Sequence, residues 1–506
     1  MRNSRSPFFR ISTAATLAAA LISPVLVAAQ TASPNISVQW EHVLRVSNTT
    51  PTLQVVVNPP LRRGSAIHDR AFQALRDLHA DYVRFVPWMP YPRLGVAELQ
   101  APALGKTSWD FSLLDPLTVD FLDATKGHSV VLNFSTIPQW MFKSDSVSSV
   151  PEDSNQVVWD YEQGTQLVDP SGKQVGEYYG RLVSWYSRGG FKDELGQEHP
   201  SGHSYRIPYW EILNEPEFEH GIAAPAYTAI YDAVVRSVRQ VSPATKFVGA
   251  SLATPRKSPE FFEFFLNPKN HQKGIPLDYI SYHFYAEPRA DEGMDVQQHT
   301  LFAQADGFLN SVRYIEAIRM RLSPQTKTMI NEVGTISAEG ANQGTTDRPG
   351  EPIPQSYWNL SGALYAYLFG ELSGMGIDVV GESQLVGYPG QFPSVTMLDW
   401  NTGEPNARYW ALKVLLNNFH PGDRIVSSKS DSPFVYAFAV ITAAGRRRCL
   451  LINKRSREME VSLAGLRGGS EESIDLDRGN QPPVLQTLDS DKIRLGGFSV
   501  AVITLP

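Results

Sequence analysis

From Leu53 to about residue 419 the chain alternates between two rhythms. Short apolar runs rich in Val, Ile, Phe and Tyr are each followed by a stretch whose apolar residues recur every three or four positions. The first rhythm predicts strands and the second amphipathic helices. LQVVVN (Leu53 to Asn58) precedes a helical segment carrying Phe72, Leu75 and Leu78. YVRFVP (Tyr82 to Pro87) precedes FSLLDPLTVDFLDATKG, and SVVLNFS (Ser129 to Ser135) leads through a long loop to YYGRLVSWYS. YWEILN (Tyr209 to Asn214) precedes a helix with Tyr227, Ile230, Tyr231, Val234, Val238 and Val241 on one face. KFVGA, YISYHF, TMINE and DVVGE open four more such units. Eight strand-then-helix units in series predict parallel strands joined by crossovers, and eight is the number that closes a (β/α)8 barrel. An open doubly wound sheet would carry a Gly-rich phosphate loop after its first strand, and none is present.

Beyond Pro421 the helical rhythm stops. VYAFAVI, RCLLIN, MEVSL, KIRLGG and SVAVIT are short, β-rich and separated by turn residues, which predicts an antiparallel β-sandwich. ISVQW, near the N-terminus, is a candidate extra strand for it. The first thirty residues differ again. Arg2, Arg5 and Arg10 precede an Ala-rich apolar run ending in Val27, Ala28 and Ala29, the pattern of a cleaved secretory signal. The expected organisation is thus a signal over 1–29, an N-terminal segment over 30–52, a barrel over 53–420 and a β domain over 421–506. No second span of membrane length follows, so a secreted protein, extracellular or periplasmic, without a stable membrane anchor is expected.

Composition narrows the partners. The 506 residues carry a net charge of −7 and no long basic run, which makes nucleic acid a poor partner. A single cysteine, Cys449 in the run CLLI, rules out an intrachain disulfide and reads as a buried structural thiol. Asn35, Asn48 and Asn359 stand in N-x-S/T sequons.

Barrel enzymes work at the carboxyl ends of their strands. Two insertions leave those ends: Thr136 to Val175 after strand three, and the glycine- and proline-containing Thr335 to Gln355, a candidate mobile rim, after strand seven. A third, GGFKDELGQEHPSGHSY, precedes strand four and is assigned no chemistry. The chemistry-bearing residues lie at the strand ends themselves. YWEILNEPE ends strand four with Asn214 and Glu215, and MINEVGT ends strand seven with Asn331 and Glu332. One Asn-Glu pair is weak evidence. Two of them, each closing a barrel strand on the active face and facing across the mouth, are specific.

In these motifs the chain resembles glycoside hydrolases of the large barrel clan, with an acid/base on strand four and a nucleophile on strand seven. It is most similar to family 39, the β-xylosidases and α-L-iduronidases, which also carry a small β domain. The resemblance implies a retaining O-glycoside hydrolase of plant-type or microbial glycans, with Glu215 as acid/base and Glu332 as nucleophile; the long strand-end loops suggest a pocket and hence exo-action. A retaining enzyme holds its two carboxyl groups about 5–5.5 Å apart, and its acid must hold a raised pKa, here helped by burial and by the charge of Glu332. The resemblance further implies Arg84 of YVRF beside Glu332; the purely structural reading of Arg84 is a salt bridge with Glu211 closing the barrel core, and the two are compatible. Asn214 would take the sugar 2-hydroxyl, and His283 and Tyr285 of SYHFYAE would bind sugar, Tyr285 reaching Glu332. Trp88, Tyr91, Trp140 and Tyr388 are candidate stacking surfaces, Trp140 foremost.

The chain departs from family 39 at Leu213, Glu217 and Val86, and its strand eight ends in GESQ, which is expected to bring Glu382 towards the pocket. Glu217, Glu219 and His220 match no metal signature and read as a solvated rim. No metal or cofactor is expected, and the partner is an oligo- or polysaccharide. The alternatives are an endo-glycanase or transglycosylase of the same clan, or a carbohydrate-binding relative without catalysis.

Overall fold

Eight parallel strands close into a barrel in chain order. In the computed structural model they are β1 (Thr50–Val56), β2 (Val83–Val86), β3 (Val130–Leu132), β4 (Tyr209–Glu211), β5 (Lys246–Leu252), β6 (Tyr279–Ala286), β7 (Lys327–Thr335) and β8 (Val379–Glu382). Each is followed by its helix: α1 (His68–Leu78), α2 (Leu114–Ala124), α3 (Lys173–Arg188), α4 (Ala224–Val241), α5 (Pro259–Phe265), α6 (Met294–Leu322), α7 (Gln355–Met375) and α8 (Ala407–Asn418). The residues described are 33–144, 147–161, 164–289, 292–337 and 352–506. The leader pattern of residues 1–29, and most of the glycine- and proline-containing insertion after β7, lie outside them. Among the described residues no helix is long and apolar enough to cross a membrane.

The helices obey the periodicity that predicts them. On α4, Tyr227, Ile230, Tyr231, Val234, Val235 and Val238 are all buried, one stripe packed onto the barrel. The inside of the barrel is layered. At the amino ends of the strands Val131, Tyr209, Val248, Tyr279, Met329 and Val379 form a closed apolar cluster capped by Tyr82. Above them lies a polar layer around Glu211, and above that the strand ends.

The second region is a nine-stranded sheet. It is one continuous hydrogen-bonded sheet rather than two stacked ones. The N-terminal strand Asn35–Val46 joins its halves, pairing antiparallel with Arg424–Ser430 and parallel with Met459–Leu463. Alternation along the strands gives the sheet two buried faces. Phe438, Val440, Leu450, Ile452, Val500 and Val502 join the core shared with the barrel helices. Ala439, Cys449, Leu451, Ala501 and Ile503 face Val461, Ile493 and Leu495 from the other half, so the sheet folds over on itself. Cys449 is fully buried there, and burial pushes its thiol up to about 12, far from the range of a nucleophile.

Candidate active site

The site is built on a buried guanidinium. Arg84 points inward from β2 and is inaccessible to solvent. Its Nε donates to Glu211, its Nη1 to Glu332 and to Gln54 Oε1 at 2.7 Å, and its Nη2 to Asn214 Oδ1 at 2.6 Å and Ser251 Oγ at 3.3 Å. All five N–H groups of the fork are thereby used. Glu211 in turn accepts from Asn133 Nδ2 at 2.7 Å, Asn331 Nδ2 at 2.8 Å and Ser281 Oγ at 2.5 Å. A buried charge survives only with such partners. Both expected partners of Arg84 are present, so one side chain ties β1, β2, β4, β5 and β7 together beneath the mouth.

Local backbone irregularities aim the carboxyl groups. On β6 simple alternation suffices: Tyr279, Ser281, His283 and Tyr285 all face inward. On β7 strict alternation would send one of Asn331 and Glu332 outward. The register shifts there relative to both neighbouring strands, and this bulge turns consecutive residues to the same side. Gly381 of β8 makes room for it, since a Cβ there would stand 2.9 Å from the Asn331 carbonyl oxygen. On the fourth strand the device differs. Leu213 and Glu215 take left-handed φ values of 61° and 42°, conformations that cost a side-chain-bearing residue energy. They turn Asn214 and Glu215 into the mouth, and the Glu215 N–H is fixed to the Ser251 carbonyl at 2.9 Å.

One oxygen of Glu215, one of Glu332 and one ring nitrogen of His283 lie within 4.8 Å of one another. His283 Nδ1 is 2.7 Å from Glu215 Oε1, and its Nε2 is 3.6 Å from Glu332 Oε1. Tyr285 donates to Glu332 Oε2 at 2.7 Å. Burial pushes Glu332 up, but the charges of His283 and Arg84 and the bond from Tyr285 outweigh it, leaving its carboxyl below the ordinary range. His283 shows the mirror image. Burial lowers it, and Glu332 and Glu215 more than offset that, so it ends above the usual histidine value. These three groups have the donor types of a metal site. Glu332 is already paired with Arg84, and Glu215 with His283, so these donors are spent on each other and on the guanidinium.

Glu215 and Glu332 open into a cavity of about 580 Å³ lined also by Gln54, Trp88, Trp159, Asn214, Phe218, Glu219, Tyr285 and Phe392. Trp88 therefore stands where expected. Its ring centroid is 5.2 Å from Trp159 and 6.1 Å from Phe392, an aromatic wall of three rings.

Other expectations are corrected. Trp140 lies outside the cavity wall: its 3-10 turn, Gln139–Met141, swings the indole away to donate to the Glu98 carbonyl at 3.0 Å. Trp159, nineteen residues further along the same loop, takes the place expected of it. Tyr91 is sealed in the core, and Tyr388 packs against the core while Phe392 of the same loop reaches Trp88. Glu382 does not line the cavity. It is fully buried, held by Arg408 Nε at 3.0 Å, and burial pushes it up to about 8. The cluster after Glu215 is no solvated rim. His220 is buried, Glu217 accepts from the Thr254 N–H at 2.8 Å, and Glu219 belongs to the cavity wall. The sequence signal for Glu219 was present: four residues past Glu215 on a short helix, Pro216–Glu219, it returns to the same side.

No family model and no curated protein matches the sequence. Solved structures do match in fold. A GH51 arabinofuranosidase from Xanthomonas axonopodis pv. citri superposes with a TM-score of 0.64 at 13% identity, over 94% of this chain and 100% of its own. The catalytic domain of GH30 xylanase C from Talaromyces cellulolyticus gives 0.58 at 11%, over 93% and 100%. A bifunctional glucanase-xylanase from a metagenome library gives 0.55 at 15%, over 94% and 99%. The chain has the (β/α)8 barrel fold of these clan A glycoside hydrolases, including the accessory sheet, and the likeness does not single out family 39.

Proposed function

We propose that the chain is a retaining O-glycoside hydrolase, exported and exo-acting, with Glu332 as nucleophile and Glu215 as acid/base. The observation that carries the reading is the meeting of Glu215 and Glu332, from β4 and β7, with oxygens inside 4.8 Å, the close spacing of a double-displacement enzyme. The two carboxyl groups are also differentiated. Glu332 has Arg84 and Tyr285 on it and stays ionised, ready to attack the anomeric carbon. Among the described residues Glu215 has no guanidinium contact and is met by His283 on one oxygen; its other oxygen gives a proton to the leaving group. Water then enters, Glu215 removes its proton, and the ester to Glu332 is broken. Asn214, its Oδ1 occupied by Arg84, keeps an amide N–H for the sugar 2-hydroxyl.

Exo-action is supported by a concave cavity with aromatic rings along one wall, and export by the leader pattern of residues 1–29. The motifs ally the chain with family 39, while the fold neighbours are GH51 and GH30 proteins, so the clan is the common ground. The test is a panel of aryl glycosides (xyloside, arabinoside, galactoside, glucoside, glucuronide) on the wild type and on Glu332→Ala. Turnover of at least one member, lost in the variant, is expected. Undiminished turnover in Glu332→Ala would sink the assignment. Binding of oligosaccharides without turnover of any member would instead favour the non-catalytic relative.

A further inference from the structure

The proposed reaction uses two carboxyl groups, yet four line the cavity: Glu215, Glu219, Glu287 and Glu332. None of the described lining residues is a lysine or an arginine. Arg84 lies beneath, with every N–H already spent. Of the two extra carboxyl groups Glu287 is exposed, whereas Glu219 is held. Its backbone N–H bonds to the Glu215 carbonyl at 2.8 Å. Its Oε1 accepts two bonds, from Trp88 Nε1 at 2.7 Å and from Asn214 Nδ2 at 2.8 Å. Glu219 thus joins the aromatic wall to the asparagine that faces the sugar. Its second oxygen, Oε2, bonds to none of the described residues. Burial, and then the neighbouring Glu215, push the carboxyl well above the ordinary range and favour its protonated form. With Oε1 accepting two N–H bonds, a proton on this carboxyl goes to Oε2, where it is a donor.

We propose that Glu219 selects the sugar, donating from Oε2 to a hydroxyl of a neutral glycosyl unit in a carboxyl-lined cavity that refuses uronic acids. The inference rests on the glycosidase reading. A uronate entering here would meet Glu332 and find no lysine or arginine among the described lining residues to pair with, and a like charge without a partner is a built-in rejection. A neutral sugar offers hydroxyl oxygens that accept from the acid.

The test uses matched 4-nitrophenyl glycosides, glucoside against glucuronide and galactoside against galacturonide, with the xyloside and arabinofuranoside, on wild type, Glu219→Gln and Glu219→Ala. The wild type should favour a neutral member over its uronide by roughly 100-fold or more in kcat/KM. Glu219→Gln, which keeps an N–H donor in place, should stay within about threefold of wild type on the neutral substrate, while Glu219→Ala should raise KM by about tenfold. A uronide turned over as well as its neutral partner would overturn the proposal, and so would an alanine variant with unchanged KM. A glutamine variant as damaged as the alanine one would overturn it too, because the ionised carboxylate would then be the working form. Should the alanine protein not fold, the glutamine protein and the wild-type ratio decide. Calorimetric binding of the free sugars and their uronic acids separates this from failure of the hydrolase reading. Preferential binding of the neutral sugar without turnover upholds the charge selection and removes the catalysis, and no binding of either removes both.

Discussion

The two ends of the same barrel strands carry opposite chemistry. At their amino ends Tyr209, Tyr279, Met329 and Val379 interlock with one another and with Tyr82, with tyrosine rings 5.2 to 5.5 Å apart. Two residues further along β4 and β6, Glu211 and Ser281 belong to a hydrogen-bonded polar layer. At the carboxyl ends the backbone departs from regularity, with a bulge at Asn331 and Glu332 and left-handed residues at Leu213 and Glu215. Regular alternation builds a plug. Aiming two carboxyl groups at one point needs deviations from it, and the paired polar layer between the ends supports those deviations.

Cutting the link between the two ends should have the largest effect. Arg84→Met leaves Glu211 and Glu332 buried without their cation, so a stability loss of about 3–5 kcal/mol is expected in chemical denaturation, together with loss of turnover. Separating the ends on one strand should give divergent outcomes. Met329→Ala in the plug should cost about 2–5 kcal/mol with kcat of the folded fraction nearly unchanged. A matching drop in kcat would mean that the plug helps to position the site. Gly381→Ala presses a Cβ against the bulge at Asn331; a stability cost of about 1–3 kcal/mol is expected, with a fall in kcat of about tenfold or more as Glu332 is misplaced. The smallest effect is read from pH. Glu219 ionises near the ordinary carboxylate value in the unfolded chain and well above it in the fold. The folded state therefore binds the extra proton, and stability falls as pH rises from the unfolded towards the folded value. Glu219→Gln has no such penalty, so its melting temperature relative to wild type should climb as pH rises above the ordinary carboxylate value. A difference independent of pH would refute the neutral acid.

Periodicity made the barrel legible, because each apolar run and the helical stretch after it differ in rhythm even where the paired strand is only three residues, as in β3 and β4, and the two Asn-Glu pairs marked the strands that meet. Glu211, Arg84, His283 and Tyr285 follow from alternation once the strands are known. The bulge left no sequence signal, since it depends on the room that Gly381 gives from the next strand. Trp140 misled for a related reason: a loop tryptophan's direction is set by the turn it sits in, and that turn hands the place to Trp159. Glu382 misled because its partner Arg408 comes from α8, 26 positions further along the chain. In the second region the short strands were legible singly. Their union into one sheet depends on Asn35–Val46, which comes from the other end of the chain.

The central claim is that Glu332 is the nucleophile and Glu215 its acid/base partner. The most direct measurement is the product formed by Glu332→Gly from an activated aryl glycoside in the presence of azide. The account predicts negligible turnover without azide, and with it a glycosyl azide of inverted anomeric configuration, read by NMR. Turnover without azide and with retained configuration would contradict it.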